Sequence, residues 1–135
     1  MDTDLIEGYL VRSNVPYDTI GEGMWVVHDE IDQVDNIVIT LSHPVVMFRV
    51  KLMELPTDEA ERAALCRKLL ELNASSMIAG AYAIEGEAVV AVETLQSENL
   101  DINEFQAAID GLTLAITEHY ELLRSFHHPA TTAQA

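Results

Sequence analysis

The chain has 135 residues, 49% of them hydrophobic, which suits one packed domain and excludes a generally disordered polymer. Twenty-three acids stand against seven bases, a formal charge of −16, so the surface repels phosphate backbones and anionic lipid and would attract a basic polypeptide segment. A single cysteine, Cys66, excludes an internal disulfide.

The opening Met1-Asp2-Thr3-Asp4 lacks the basic start and apolar run of a signal peptide. No stretch reaches the roughly 18 apolar residues of a membrane span. The expectation is a cytoplasmic protein.

Residues 4–13 read as a short helix, with Leu5 and Tyr9 on one face, Ile6 and Leu10 beside them, and Asp2 and Asp4 at the positive end of its dipole. Asn14-Val15-Pro16 ends it, because the residue before proline is pushed out of the α region. Three strands are predicted next: Met24 to His28, Asn36 to Ser42 with Ile37, Ile39 and Leu41 on one face, and Val45 to Met53. In the last, Val46, Phe48, Val50 and Leu52 alternate with Val45, Met47, Arg49, Lys51 and Met53, the period of a half-buried strand. Ser42-His43-Pro44 joins the second and third strands as a tight turn, so they should pair antiparallel.

Pro56-Thr57-Asp58 opens a second helix, with Asp58 and Glu61 spaced as a capping box. Leu65, Leu69 and Leu72 form its seam, and Asn73 is expected to close it in a left-handed conformation. Ser76 to Ile84 and Glu87 to Leu95 then form a hairpin around Glu85-Gly86. One face of its first strand carries Met77, Ala79, Ala81 and Ala83, so another element, most simply a helix, should pack close to it. The last helix starts at an Asp101–Glu104 box, and Phe105, Ile109, Leu112, Ile116, Tyr120 and Leu123 mark one stripe. The order is α-β-β-β-α-β-β-α, an α+β fold with an antiparallel five-stranded sheet and three helices. It makes a single domain over residues 1–126, followed by a disordered tail over 127–135 that has no periodicity.

Chemistry is hard to find in this sequence. His127 and His128 lie in the tail, and no H-E-x-x-H or cysteine pair offers a zinc site. Asp29, Glu30, Asp32 and Asp35 crowd one loop, but the glycine-containing calcium pattern is absent and a solvated connection is the simpler reading. Gly21-Glu22-Gly23 lacks the ending of a phosphate loop, and no nucleophile elbow occurs. No catalytic, cofactor-binding or metal-binding residues are assigned, and the chain is read as not an enzyme.

Apolar surface is more informative. Met24, Trp25, Met47 and Met53 lie in or beside the first three strands. They either fill the domain's own core or form an adaptable protein-binding surface rimmed by acids. Trp25 discriminates: exposed, it supports binding; wholly buried, it does not. On the second helix Ala63, Cys66 and Leu70 lie off the leucine seam, and so wide an apolar arc favours packing against both the sheet and a second copy of the chain.

The pattern resembles the type III secretion chaperone family (the Tir-chaperone type) and its YbjN-like bacterial relatives. The resemblance is strongest from about Leu69 to Leu123. It rests on Leu69-Leu70-Glu71-Leu72-Asn73, the hairpin from Ala81 through Val90, Asn99-Leu100-Asp101, and a long helix carrying Glu104-Phe105, Ile109-Asp110 and His119-Tyr120. It implies a homodimer with the second helix near the contact, and a client polypeptide wrapped over apolar patches without ATP or catalysis. The client-binding residues expected are Tyr9, Met24, Trp25, Met47 and Met53, and those of the dimer interface Ala63, Cys66 and Leu70. The YbjN-like branch implies an alternative, a regulatory or sensory domain that binds a small ligand or a protein partner.

Overall fold

Helix-period and strand-period segments follow one another as α1 (Thr3–Arg12), β1 (Tyr17–Gly21), β2 (Met24–Val27), β3 (Ile37–Ser42), β4 (Val45–Glu54), α2 (Glu59–Ser75), β5 (Ala81–Glu85), β6 (Ala88–Gln96) and α3 (Ile102–Arg124). These elements belong to a computed structural model that describes residues 3–28, 36–77 and 79–126. The acidic loop Asp29 to Asp35 and the tail from His127 lie outside the described residues.

The sheet has six strands in the order β1-β2-β3-β4-β6-β5, with every neighbouring pair antiparallel. The expected count was five. The added strand is β1, whose residues after Tyr17 are all exposed; an edge strand that buries no alternate face leaves no period-2 signal. An irregular register between Thr19 and Gly21 blurs it further.

Capping chemistry fixes the helix starts. Asp58 accepts the Glu61 amide at 2.9 Å, and Asp101 and Glu104 satisfy one another's backbone amides reciprocally. Asn14 takes a left-handed conformation just after α1. Asn73 does not: α2 continues through it to Ser75, and the Ser76 amide closes the last turn on the Leu72 carbonyl. The second hairpin consequently starts later than expected, at Ala81, and turns through Gly86 and Glu87. The alanine run also splits. Gly80, at φ +72°, reverses the chain so closely that a Cβ there would meet the Val92 carbonyl. Ala79 packs on Gly111 of α3, whereas Ala81 and Ala83 stand opposite Val92 and Val90 on the other face of the sheet.

One core holds the layers together. Its sheet members are Trp25, Val27, Ile37, Ile39, Val46, Phe48, Val50, Tyr82, Val89 and Ala91, to which α1, α2 and α3 add Ile6, Leu10, Leu65, Leu69, Phe105 and Leu112. Phe48 meets Phe105 edge-on, with centroids 5.4 Å apart. Every one of those sheet residues lies on the same face by register. The opposite face contributes nothing to this cluster.

Candidate protein-binding surfaces

Trp25 and Tyr9 sit inside. Trp25 is 1% exposed and Tyr9 7%, and both polar tips are satisfied: the indole N–H donates to Glu7 at 3.3 Å and the Tyr9 hydroxyl to the Leu100 carbonyl at 2.7 Å. A buried aromatic with its polar tip bonded is a packing element. The burial of Trp25 gives no support to a client contact there; with Tyr9 it fastens α1 onto the sheet.

Met53 also turns inward. A bulge between Lys51 and Met53 shifts the register, so Met53 pairs with the core residue Val89 and packs against the core. Strict alternation had kept it with Met47, but one inserted residue moves a side chain to the other face.

Met24 and Met47 do come together. Register places Met24, Thr40 and Met47 in one row across β2, β3 and β4, and Val26, Val38 and Arg49 in the next. Both rows lie on the face opposite the core cluster, where Val90 of β6 is also buried. Met47 is 42% exposed; Met24, Val26 and Val38 are half-buried. Charged pairs border this apolar strip, Arg49 with Glu85 and Lys51 with Glu54. Val26 and Val38 are missing from the expected set, although their alternation with Trp25, Val27, Ile37 and Ile39 would have identified them.

The two sheet edges differ. At β5 the Asn73 side chain accepts the Tyr82 amide at 2.7 Å and donates to the Tyr82 carbonyl at 3.0 Å, as a neighbouring strand would. At β1, among the described residues, the backbone pairs with β2 and with no further strand. An edge of that kind offers unpaired amides and carbonyls to an incoming chain.

On α2, residues 63, 66 and 70 are spaced by three and four and share a stripe facing away from the buried Leu65, Leu69 and Leu72. Leu70 is 69% exposed, Ala63 is exposed and Cys66 half-buried. Ion pairs of Arg67 and Lys68 with Glu71 flank Leu70. Five of the seven bases, Arg49, Lys51, Arg62, Arg67 and Lys68, each lie beside a glutamate, which leaves the outward field dominated by acids.

Two polar contacts complete the picture. His28, at the end of β2, lies between Asp18 and Asn36. In the interior, Tyr82 and His119 share a 2.7 Å hydrogen bond between β5 and α3. Burial first, and the Glu118 carboxylate second, push the Tyr82 phenol well above its ordinary range. Among the described residues, no helix is long and apolar enough to cross a membrane.

No curated protein matches the chain by sequence at a significant level. Solved structures do match in fold. A chain of the heterodimeric ExoU–SpcU complex from the type III secretion system of Pseudomonas aeruginosa superposes with a TM-score of 0.67 at 15% identity, over 93% of this chain and 99% of that one. YbjN of E. coli gives 0.66 at 14% identity, over 90% and 93%. The Yersinia pestis type III secretion chaperone SycH, solved with a stable fragment of YscM2, gives 0.59 at 12% identity, over 85% and 97%. The CesT_Tir_1 family model matches residues 2–129. On that match, spanning nearly the whole sequence, the chain belongs to the CesT_Tir_1 family of type III secretion chaperones.

Proposed function

We propose that this protein is a homodimeric, non-catalytic chaperone that holds an extended segment of another polypeptide in the cytoplasm. The observation that carries the reading is an apolar sheet face, outside the core cluster, beside an edge strand open to pairing. A client strand added along β1 gains main-chain hydrogen bonds, and the client chain running on from it crosses the sheet over Met24, Val26, Val38 and Met47. Methionine adapts to varied side chains at little cost, which suits a surface that must accept an irregular segment. The surrounding acids favour a client with lysine or arginine and keep the loaded complex soluble. Tyr9, Trp25 and Met53 serve indirectly, by fixing α1 and the end of β4. Likeness to the ExoU–SpcU complex and to SycH with its bound fragment supports the client class.

The second copy docks through Ala63, Cys66 and Leu70. A leucine as exposed as Leu70, in a stripe with Ala63 and Cys66, is more stable covered. Light scattering is expected to give about twice the 15.0 kDa chain mass, and Leu70→Asp to give the single chain with an unchanged circular dichroism spectrum. A wild-type monomer at micromolar concentration removes the dimer.

Pull-down from the native cell extract tests the client. A polypeptide recovered in stoichiometric amount by the wild type and lost with Met47→Asp, at unchanged thermal stability, supports the holder. Equal recovery by both proteins takes the client off this face.

A second reading, a regulatory domain, draws on the likeness to YbjN, whose structure was described as that of a proposed transcription regulator. It expects sub-stoichiometric capture of a regulatory protein, or a small ligand that raises the melting temperature, and indifference to Met47→Asp.

A further inference from the structure

His28 closes β2 on the outer face of the sheet and stands directly across from Asn36, as the pairing of Val27 with Ile37 dictates. Its amide donates to the Pro16 carbonyl at 2.9 Å, which brings the chain entering β1 alongside. Asp18, two residues further, falls on the same face as His28. The imidazole fits between them: Nε2 is 2.8 Å from Asp18 Oδ2, and Nδ1 is 2.8 Å from Asn36 Oδ1.

Both facing atoms are oxygens. A carboxylate accepts only, and an amide oxygen accepts only, whereas a neutral imidazole carries one N–H. Both contacts are hydrogen bonds at once only when each ring nitrogen bears a proton. The charges nearby have the sign that favours this form. Asp18 faces the ring from β1, Asn36 faces it from the chain entering β3, and along its own segment the sequence continues Asp29-Glu30.

We propose that His28 is an imidazolium clasp between Asp18 and Asn36 that locks the edge strand β1 to the sheet at low pH and loosens it as pH rises. The device is local and economical. β1 buries little beyond Tyr17, so a charge-assisted bond at its second residue adds to the backbone ladder with β2 in holding it. Both hydrogen bonds exist together while each ring nitrogen carries a proton, and one is lost when the ring gives up its second proton. The consequence for client holding rests on the reading of β1 as the client's edge: as the clasp opens, the strand that the client pairs with loses its own support.

The test uses the full chain without any client. Imidazole nitrogen–proton correlation spectra are recorded from about pH 5 to about pH 9, the range over which histidine changes charge. The expected result is that both His28 nitrogens remain protonated at a pH where an ordinary histidine is neutral, and that Asp18→Asn moves the transition down. Hydrogen exchange of Tyr17–Gly21, corrected for intrinsic rate, is expected to quicken about two- to fivefold across the same transition, the range of an exposed ion pair. This pH dependence should be absent in Asp18→Asn. Asp18 is itself exposed, so that variant folds. Two results overturn the clasp: an Nδ1 that is bare near neutral pH, which would mean Asn36 donates its amide to a neutral ring, or β1 exchange indifferent to pH in the wild type. Neither readout involves a client, so a clasp that behaves as described while no polypeptide is captured sinks the holder reading alone.

Discussion

Tyr82 carries its hydroxyl into the space between β5 and α3, where it meets His119 at 2.7 Å. Burial and the Glu118 carboxylate raise the phenol above the ordinary value of about 10. An acid with a raised folded value lends stability that is complete below its unfolded value and is lost as pH rises past it. Thermal melts of the wild type are therefore expected to fall more steeply above about pH 10 than those of Tyr82→Phe. An identical alkaline slope in both would show that the phenol does not contribute. At neutral pH the same variant strands a buried histidine nitrogen, at a cost of about 1–3 kcal/mol by urea unfolding. Trp25 belongs to the same scale. Its bulk inside the core predicts that Trp25→Ala loses about 3–5 kcal/mol of stability. A drop in client capture without that loss would move Trp25 to the working surface after all. The sequence shows that Trp25 is apolar and in a strand, but not which way it points. A four-residue strand with apolar residues on both faces, Met24 and Val26 against Trp25 and Val27, has no polar side to orient it.

Elements with a buried stripe were legible. The seams of α2 and α3, the Asp101 box, the alternation of β3 and β4 and the hairpin after α2 all follow from period and capping. What escaped was whatever depends on an atom far away in sequence. Asn73 reads as a helix stop because asparagine tolerates left-handed backbone. Its side chain instead spans to Tyr82, and that pairing holds α2 against the β5 edge. Asn73→Ala is expected to cost about 1–3 kcal/mol, since it leaves the Tyr82 amide and carbonyl unpaired. It should also raise concentration-dependent scattering on warming, because a second bare edge is exposed. Stability equal to the wild type would mean that water replaces the amide without loss. β1 and the Lys51–Met53 bulge escaped for the opposite reason, being features with too little burial, or one residue too many, to leave a periodic trace.

At the scale of the whole molecule, a charge of −16 on 135 residues means that the folded state works against its own repulsion. Raising salt from about 0.01 M to about 0.15 M shortens the screening length from about 30 Å to about 8 Å. The melting temperature should rise by a few degrees, the shift that about 1 kcal/mol produces at this size. A fall on adding salt would show that the ion pairs of β4 and α2 outweigh the repulsion. The family and architecture were legible from element order, while the location of the candidate site was half legible. Met24, Met47, Ala63, Cys66 and Leu70 lie on outward-facing stripes, whereas Tyr9, Trp25 and Met53 went to the interior, because hydrophobicity alone does not tell a lining from a filling.

The unlike borders of the sheet set a rule for assembly. A strand that arrives from outside meets an amide side chain at Tyr82 on one border and, among the described residues, no further strand on the other. Two molecules meeting along their β1 borders would use up the growth points of both. Lateral association through those borders stops at a pair, and the Asn73 side chain hinders a strand from joining at Tyr82 on the far border.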